Sequence, residues 1–216
     1  MDFTNMFYIS DTHFGHEGII QWERTEFKTI QEHDNYIKQK LYDWAYHHPK
    51  RTLWHMGDFG DAKEVEFFKM LREQFGCTFG IVKGNHDTGR NWKTVKEGFD
   101  YVSDYPLYIA NRVMLSHEPV YPLPEGVVNI CGHLHSATLD SEQHKVVSAK
   151  LINYQPIGGK TIQKLLSRIP APSEKFLYEP YAHLYKFTQE KSDVVYDKDG
   201  LIKLEKSRKL FSKLYS

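Results

Sequence analysis

Cysteine is scarce: Cys77 and Cys131 are the only two in 216 residues. At most one bridge could form, so a disulfide scaffold is excluded, and the usage fits a reducing compartment. Neither sign of charge is in excess, since 28 basic residues balance 28 acidic ones. Net charge therefore gives no argument for nucleic acid or an anionic membrane as partner, although a local patch stays open. Long apolar runs are also missing. The first, residues 6–9, follows Asp2, has no basic flank, and is too short for a signal peptide or a membrane span. The expectation is a cytoplasmic chain with no membrane partner. No repeat or low-complexity stretch is visible.

Hydrophobic residues at 40% and aromatics at 14% supply ample core for one large domain. Histidine is plentiful, with 12 copies, which points to metal or acid–base chemistry only if the residues cluster. The first half alternates strands at 7–9, 52–54 and 78–82 with helices at 34–47 and 62–75. In the first helix Ile37, Leu41, Trp44 and Ala45 share a face, and Gly76 stops the second. Strand–helix alternation of this kind predicts right-handed βαβ units and a parallel sheet. The second half is richer in strands, at 101–102, 107–109, 113–115, 127–131 and 146–147, with a helix at 161–168. Pro170, Pro172 and Ser173 break the chain. This divides it into a domain over 1–169 and an extension over 170–216, expected to pack on the same domain as a hairpin (183–188 with 194–196) plus a basic tail. The fold class is α/β, with two packed sheets and helices outside.

Five apolar runs end in the same kind of residue. They lead into Asp11-Thr12-His13, Gly57-Asp58, Gly84-Asn85-His86-Asp87, His117 and Gly132-His133-Leu134-His135. Ligand sites of α/β sheets form at the carboxyl ends of strands, so five such ends can converge. Residues two apart share a face in extended backbone, which suits both D-x-H and H-x-H. Carboxylate, amide oxygen and imidazole suit Mn, Fe, Co, Ni or Zn. Seven candidate ligands exceed the need of one zinc and suffice for two ions if a carboxylate bridges. Each pattern alone is commonplace: G-N-H-D by itself reads as a turn. The five in this order, each after an apolar run, do not.

The ordered set D-x-H, G-D, G-N-H-D, H, G-H-x-H resembles the calcineurin-like metallophosphoesterases. Ile9 to Glu17 looks like the small stand-alone bacterial and phage members. The resemblance spans about residues 6–135, with a weaker match at Asn153-Tyr154-Gln155-Pro156. It implies a four-layer αββα sandwich of two mixed sheets and two divalent metal ions, manganese first among the candidates. Asp11, His13 and His135 would hold one ion, and Asn85, His117 and His133 the other. Asp58 would bridge. His86 would protonate the leaving group, oriented by Asp61 or Asp87.

His16 is open between a phosphate contact and a helix cap, and Arg90 between a phosphate contact and an exposed surface residue. His55 reads as packing or as support for a ligand. The expected activity is hydrolysis of a phosphodiester, cyclic or nucleotide-like, or of a phosphomonoester. A nuclease that processes nucleic-acid ends is one alternative, supported by the basic residues Lys203, Lys206, Arg208, Lys209 and Lys213. A non-catalytic metal-binding scaffold is another, but such a chain would be expected to lose ligands and here none of the seven is missing. The partner is expected to be a phosphate-ester small molecule or nucleotide.

Overall fold

The computed structural model describes residues 3–110 and 112–171. The expected hairpin, the basic tail and most of the 170–216 extension lie outside the described residues.

A five-stranded sheet contains β1 (Met6–Ile9), β2 (Thr52–His55), β3 (Thr78–Val82), β4 (Tyr101–Ser103) and β9 (Ile157–Gly158), in the order β4-β3-β2-β1-β9. All neighbours are parallel except β1 and β9. The second sheet runs β5 (Leu107–Ala110), β6 (Val113–Leu115), β7 (Val128–Cys131), β8 (His144–Val146). Here β5 and β6 are antiparallel and the other pairs parallel. The fold is thus α/β, with two mixed sheets flanked by helices.

Strand side chains alternate between two cores, as the period of two requires. Ile9, Leu53, Phe79 and Ile81 pack under α2 (Ile30–His47), α3 (Val65–Phe75) and α4 (Gly89–Glu97). Met6, Tyr8, Trp54 and Val82 face Val113, Leu115, Val128 and Ile130 of the other sheet, joined by Ile162 of α5 (Gly159–Leu166). Each such fully buried aliphatic or aromatic side chain is worth ~1.5–3 kcal/mol.

Helix α2 begins four residues ahead of the expected 34. Its start is set by the cap rather than by apolar periodicity. Thr29 Oγ1 accepts from Glu32 N–H at 3.1 Å, and the Glu32 carboxylate accepts from Lys28 N–H at 2.9 Å, a Thr-x-x-Glu variant of the capping box. The expected helix at 62–75 opens as a 3-10 turn (Ala62–Glu64) before α3, which ends on Gly76 in the left-handed region. The helix that His16 was open to cap is α1 (Glu17–Trp22), and one helix goes beyond the sequence reading: α4, whose buried apolar residues are only Trp92 and Val95. No described helix is long and apolar enough to cross a membrane.

Beyond β1 the chain crosses to the second sheet. Ser10 N–H donates to Val147 O at 2.9 Å and Ala149 N–H to Ser10 O at 2.8 Å. This stitch draws the carboxyl end of β1 against the end of β8, which brings the loops after β1, β2, β3, β6 and β7 to one edge of the sandwich.

Candidate metal centre

Four of the seven sequence-derived ligands, Asp11, His13, Asp58 and His135, place one donor atom each within 4.8 Å of one another. The other three lie across Asp58. His117 Nε2 is 3.3 Å from Asp58 Oδ2 and 2.8 Å from Asn85 Oδ1, while His133 Nδ1 is 3.1 Å from Asn85 Oδ1 and 3.2 Å from His117 Nε2. On the near side His13 Nε2 stands 3.6 Å from the same Asp58 Oδ2. One carboxylate oxygen therefore faces both groups.

The pairs do not converge for the reason given by an extended strand. β1 ends at Ile9 and β7 at Cys131, and both pairs lie on loops. Asp11, His13, Asp58, His133 and His135 have φ of 54°, 47°, 55°, 69° and 50°. Two left-handed residues flanking one ordinary residue aim both side chains inward. Non-glycine residues enter this region at a cost of ~1–3 kcal/mol each and stay there only when their surroundings fix them. Gly57, at φ 87°, allows the turn into Asp58. Gly132 is needed for space, since a Cβ there would sit 1.9 Å from Ser10 Oγ and 2.5 Å from Asp11 Oδ2.

The surroundings that fix these loops are hydrogen bonds. Asp11 accepts from His133 N–H at 3.0 Å and from Ser148 Oγ at 2.8 Å. Asp87 does not point at His86. Its carboxylate accepts from the N–H groups of Asp58 (2.8 Å), Phe59 (3.0 Å) and Gly84 (2.8 Å), so it straps the second and third loops together. Asp61 caps the 3-10 turn through Lys63 N–H at 3.0 Å. Among the described residues neither carboxylate hydrogen-bonds the His86 ring. Thr12 Oγ1 donates to Phe59 O at 2.8 Å and lies 2.9 Å from His55 Nε2. A hydroxyl has one hydrogen, so His55 Nε2–H is the donor there, and His55 supports the first loop from below.

The donor set fits a cation. His117 Nδ1 is 2.7 Å from Met56 O. A carbonyl only accepts, so this nitrogen carries the hydrogen, and Nε2 of the neutral ring presents a lone pair to two oxygens. Among the described residues, buried Asp58 Oδ2 and His13 Nε2 have no hydrogen-bond partner. Lone pairs facing lone pairs at this range require a positive charge between them, either a metal or extra protons. Without a metal the rings respond accordingly. Burial works against a charged His117, yet the Asp58 carboxylate holds it up at about 9. Burial pushes His13 down to about 2. The Asp58 carboxyl is opposed by its burial but stays below the usual carboxylate range because His117 and the His86 N–H stabilise the charged form.

Around this centre the His13 ring lies 5.4 Å from His16 and 5.5 Å from His86, centroid to centroid. Both outer rings are exposed, 6.2 Å apart. His16 occupies the N-cap position of α1 without making a side-chain cap bond. Arg90 is exposed in the first turn of α4. The sequence reading missed Arg24, His33, Asp34, Ser10 and Ser148. The last two carry no sequence signal, whereas Arg24 and His33 stand out only as polar residues that prove fully buried.

No family model matches the chain. An uncharacterized protein of Methanocaldococcus jannaschii, MJ1445, is 26% identical over 180 residues, covering 78% of this chain and 94% of that one. The crystal structure of AQ665, a protein of unknown function from Aquifex aeolicus, superposes with a TM-score of 0.56 at 26% identity, covering 74% of this chain and 98% of that one. The chain thus shares its architecture with that protein, nearly all of which it covers. The Pseudomonas putida nuclease MPE gives a TM-score of 0.40 at 20% identity, over 61% of this chain and 62% of that one. That likeness is too loose to carry an argument.

Proposed function

We propose that this chain is a two-metal phosphoesterase of the calcineurin-like type. The observation that carries the reading is the Asp58 carboxylate oxygen, buried, unpartnered and shared between two clusters of lone-pair donors. Asp11, His13 and His135 would hold one divalent ion, Asn85, His117 and His133 the other, and Asp58 both. Manganese leads the candidates for an oxygen–imidazole set of this kind, with Fe, Co, Ni and Zn behind it. Such ions, when bound, would supply positive charge to polarise a phosphoryl group and to acidify a water.

The chain's own residues do the rest. His86 is exposed at the rim, within reach of a substrate over His13, and donates a proton to the departing oxygen. His16 stands beside it. Partial burial and the neighbouring His86 hold its pKa below the usual histidine value, and its ring is placed to meet a phosphate oxygen. Asp87 keeps the second and third loops in register.

The substrate class follows from missing arginines. Phosphoprotein phosphatases of this type resemble one another in G-D-x-V-D-R-G and R-G-N-H-E. Here the corresponding positions hold Ala62 and Lys83. A lysine cannot reproduce the planar fork that grips a doubly charged phosphomonoester. A diester carries one charge and depends less on that grip. The test compares kcat/KM for bis-p-nitrophenyl phosphate, a 2′,3′-cyclic nucleotide, p-nitrophenyl phosphate and a phosphoserine peptide on manganese-loaded protein. Diesters are expected to lead. A preference for the phosphopeptide would overturn the substrate class, and absence of turnover on all four would overturn the enzyme.

A further inference from the structure

Behind the first ligand loop lies a buried guanidinium that the chemistry above does not use. Arg24 is 1% exposed. Its hydrogen bonds go to main-chain carbonyls and an imidazole rather than to a carboxylate. Nη1 donates to Thr12 O at 2.9 Å and meets His33 Nε2, while Nη2 donates to Asp11 O. Those two carbonyls belong to the two peptide planes between Asp11 and His13. One rigid, planar group therefore fixes both planes, and with them the left-handed φ of His13 and the turn out of Asp11.

The guanidinium is itself held on two sides. His33 accepts from it through Nε2, so its Nδ1–H donates to Asp34 Oδ1 at 2.7 Å, and Asp34 Oδ2 takes Gly15 N–H at 2.9 Å. The Tyr154 ring covers the guanidinium at 5.5 Å, and the Tyr154 hydroxyl donates to Glu26 Oε1 at 2.6 Å. The Asn153-Tyr154 turn, left over from the sequence motifs, is left-handed at both residues. Its place in the fold is to seat that ring. A buried cation costs several kcal/mol of desolvation, which surface solubility or simple packing would not require.

We propose that Arg24, seated by His33, Asp34 and Tyr154, is a positioning residue that aims Asp11 and His13 and so sets the affinity of one metal position, leaving the Asn85–His117–His133 position unaffected. This rests on the two-metal reading. The test is calorimetric titration of chelator-stripped wild type, Arg24→Lys and His33→Leu with manganese(II), with the Tm of each stripped protein measured alongside. Lysine keeps the charge but cannot span two carbonyls.

Wild type is expected to bind two ions. Arg24→Lys should weaken one of them roughly 10- to 100-fold, the usual range for a group that orients a ligand, and leave the other as it was. His33→Leu leaves the guanidinium in place but unseated, and should shift the same ion in the same direction. It carries the test if Arg24→Lys does not fold. Equal weakening of both ions, or a lower Tm with both affinities intact, would overturn the proposal. A wild type that binds fewer than two ions would overturn the two-metal reading beneath it.

Discussion

The two sides of Asp58 are built differently. Asp11 and His13 are buried, and their loop is gripped from behind by Arg24 and from below by His55. Asn85 is exposed and His133 half-buried, and across from Asp58 these two and His117 chiefly touch one another. One side is gripped from behind by buried side chains, while the other is more open and is anchored by His117 Nδ1–H on Met56 O and by His133 N–H on Asp11. A site of this kind can keep one ligand set preorganised while leaving the open side reachable by a substrate.

The comparison breaks most sharply at the shared oxygen. Asp58→Ala should reduce metal content below two per chain and lower turnover ~10³-fold or more, since charge stabilisation by a metal pair amounts to several kcal/mol. Elemental analysis with kinetics checks this, and two ions retained at full occupancy would show the halves to be independent. His86→Ala should leave both ions bound and cost ~10²-fold with alkyl esters, less with nitrophenyl esters whose leaving group needs little protonation. If it empties the site instead, His86 is a ligand.

Asp87→Ala touches both halves through the backbone and acts on stability. It leaves three buried N–H groups unmet, and should lower the stability of the stripped protein by ~3 kcal/mol in urea unfolding. A loss as small as that of a surface substitution would mean water satisfies those groups. The smallest effect is that of pH on the open side. In stripped protein the Asp58 carboxylate holds His117 up at about 9, against an ordinary imidazole value of 6.5. Its folded value is the higher one, so its contribution is complete below 6.5 and lost as pH rises to about 9. Tm of the chelated protein should fall across that window, and His117→Gln should flatten the fall. An unchanged slope would remove His117 from the account.

The candidate ligand residues were readable because chemistry constrains residue type. Few side chains bind metal, and they stood at the ends of apolar runs. The αβ alternation and the helix faces were readable because burial imposes periods of two and 3.6. The start of α2 was missed because its signal is a Thr-x-x-Glu cap, and α4 because it buries only Trp92 and Val95. The role of Asp87 was misplaced because sequence adjacency to His86 says nothing of which N–H groups a folded carboxylate meets.

By itself the sequence singled out the candidate residues and the order in which the strands deliver them, since residue type and local periodicity are one-dimensional properties. Tertiary structure alone decided how they are aimed. The left-handed turns at Asp11 and His13 are unfavourable locally, and the carbonyls of Asp11 and Thr12 between them are gripped by Arg24, 13 residues from Asp11. The oxygen of Asp58 comes to face two groups of donors only when Asn85, His117 and His133 are brought across from other strands. Contacts of that range depend on the packing of the two sheets, which no local pattern encodes.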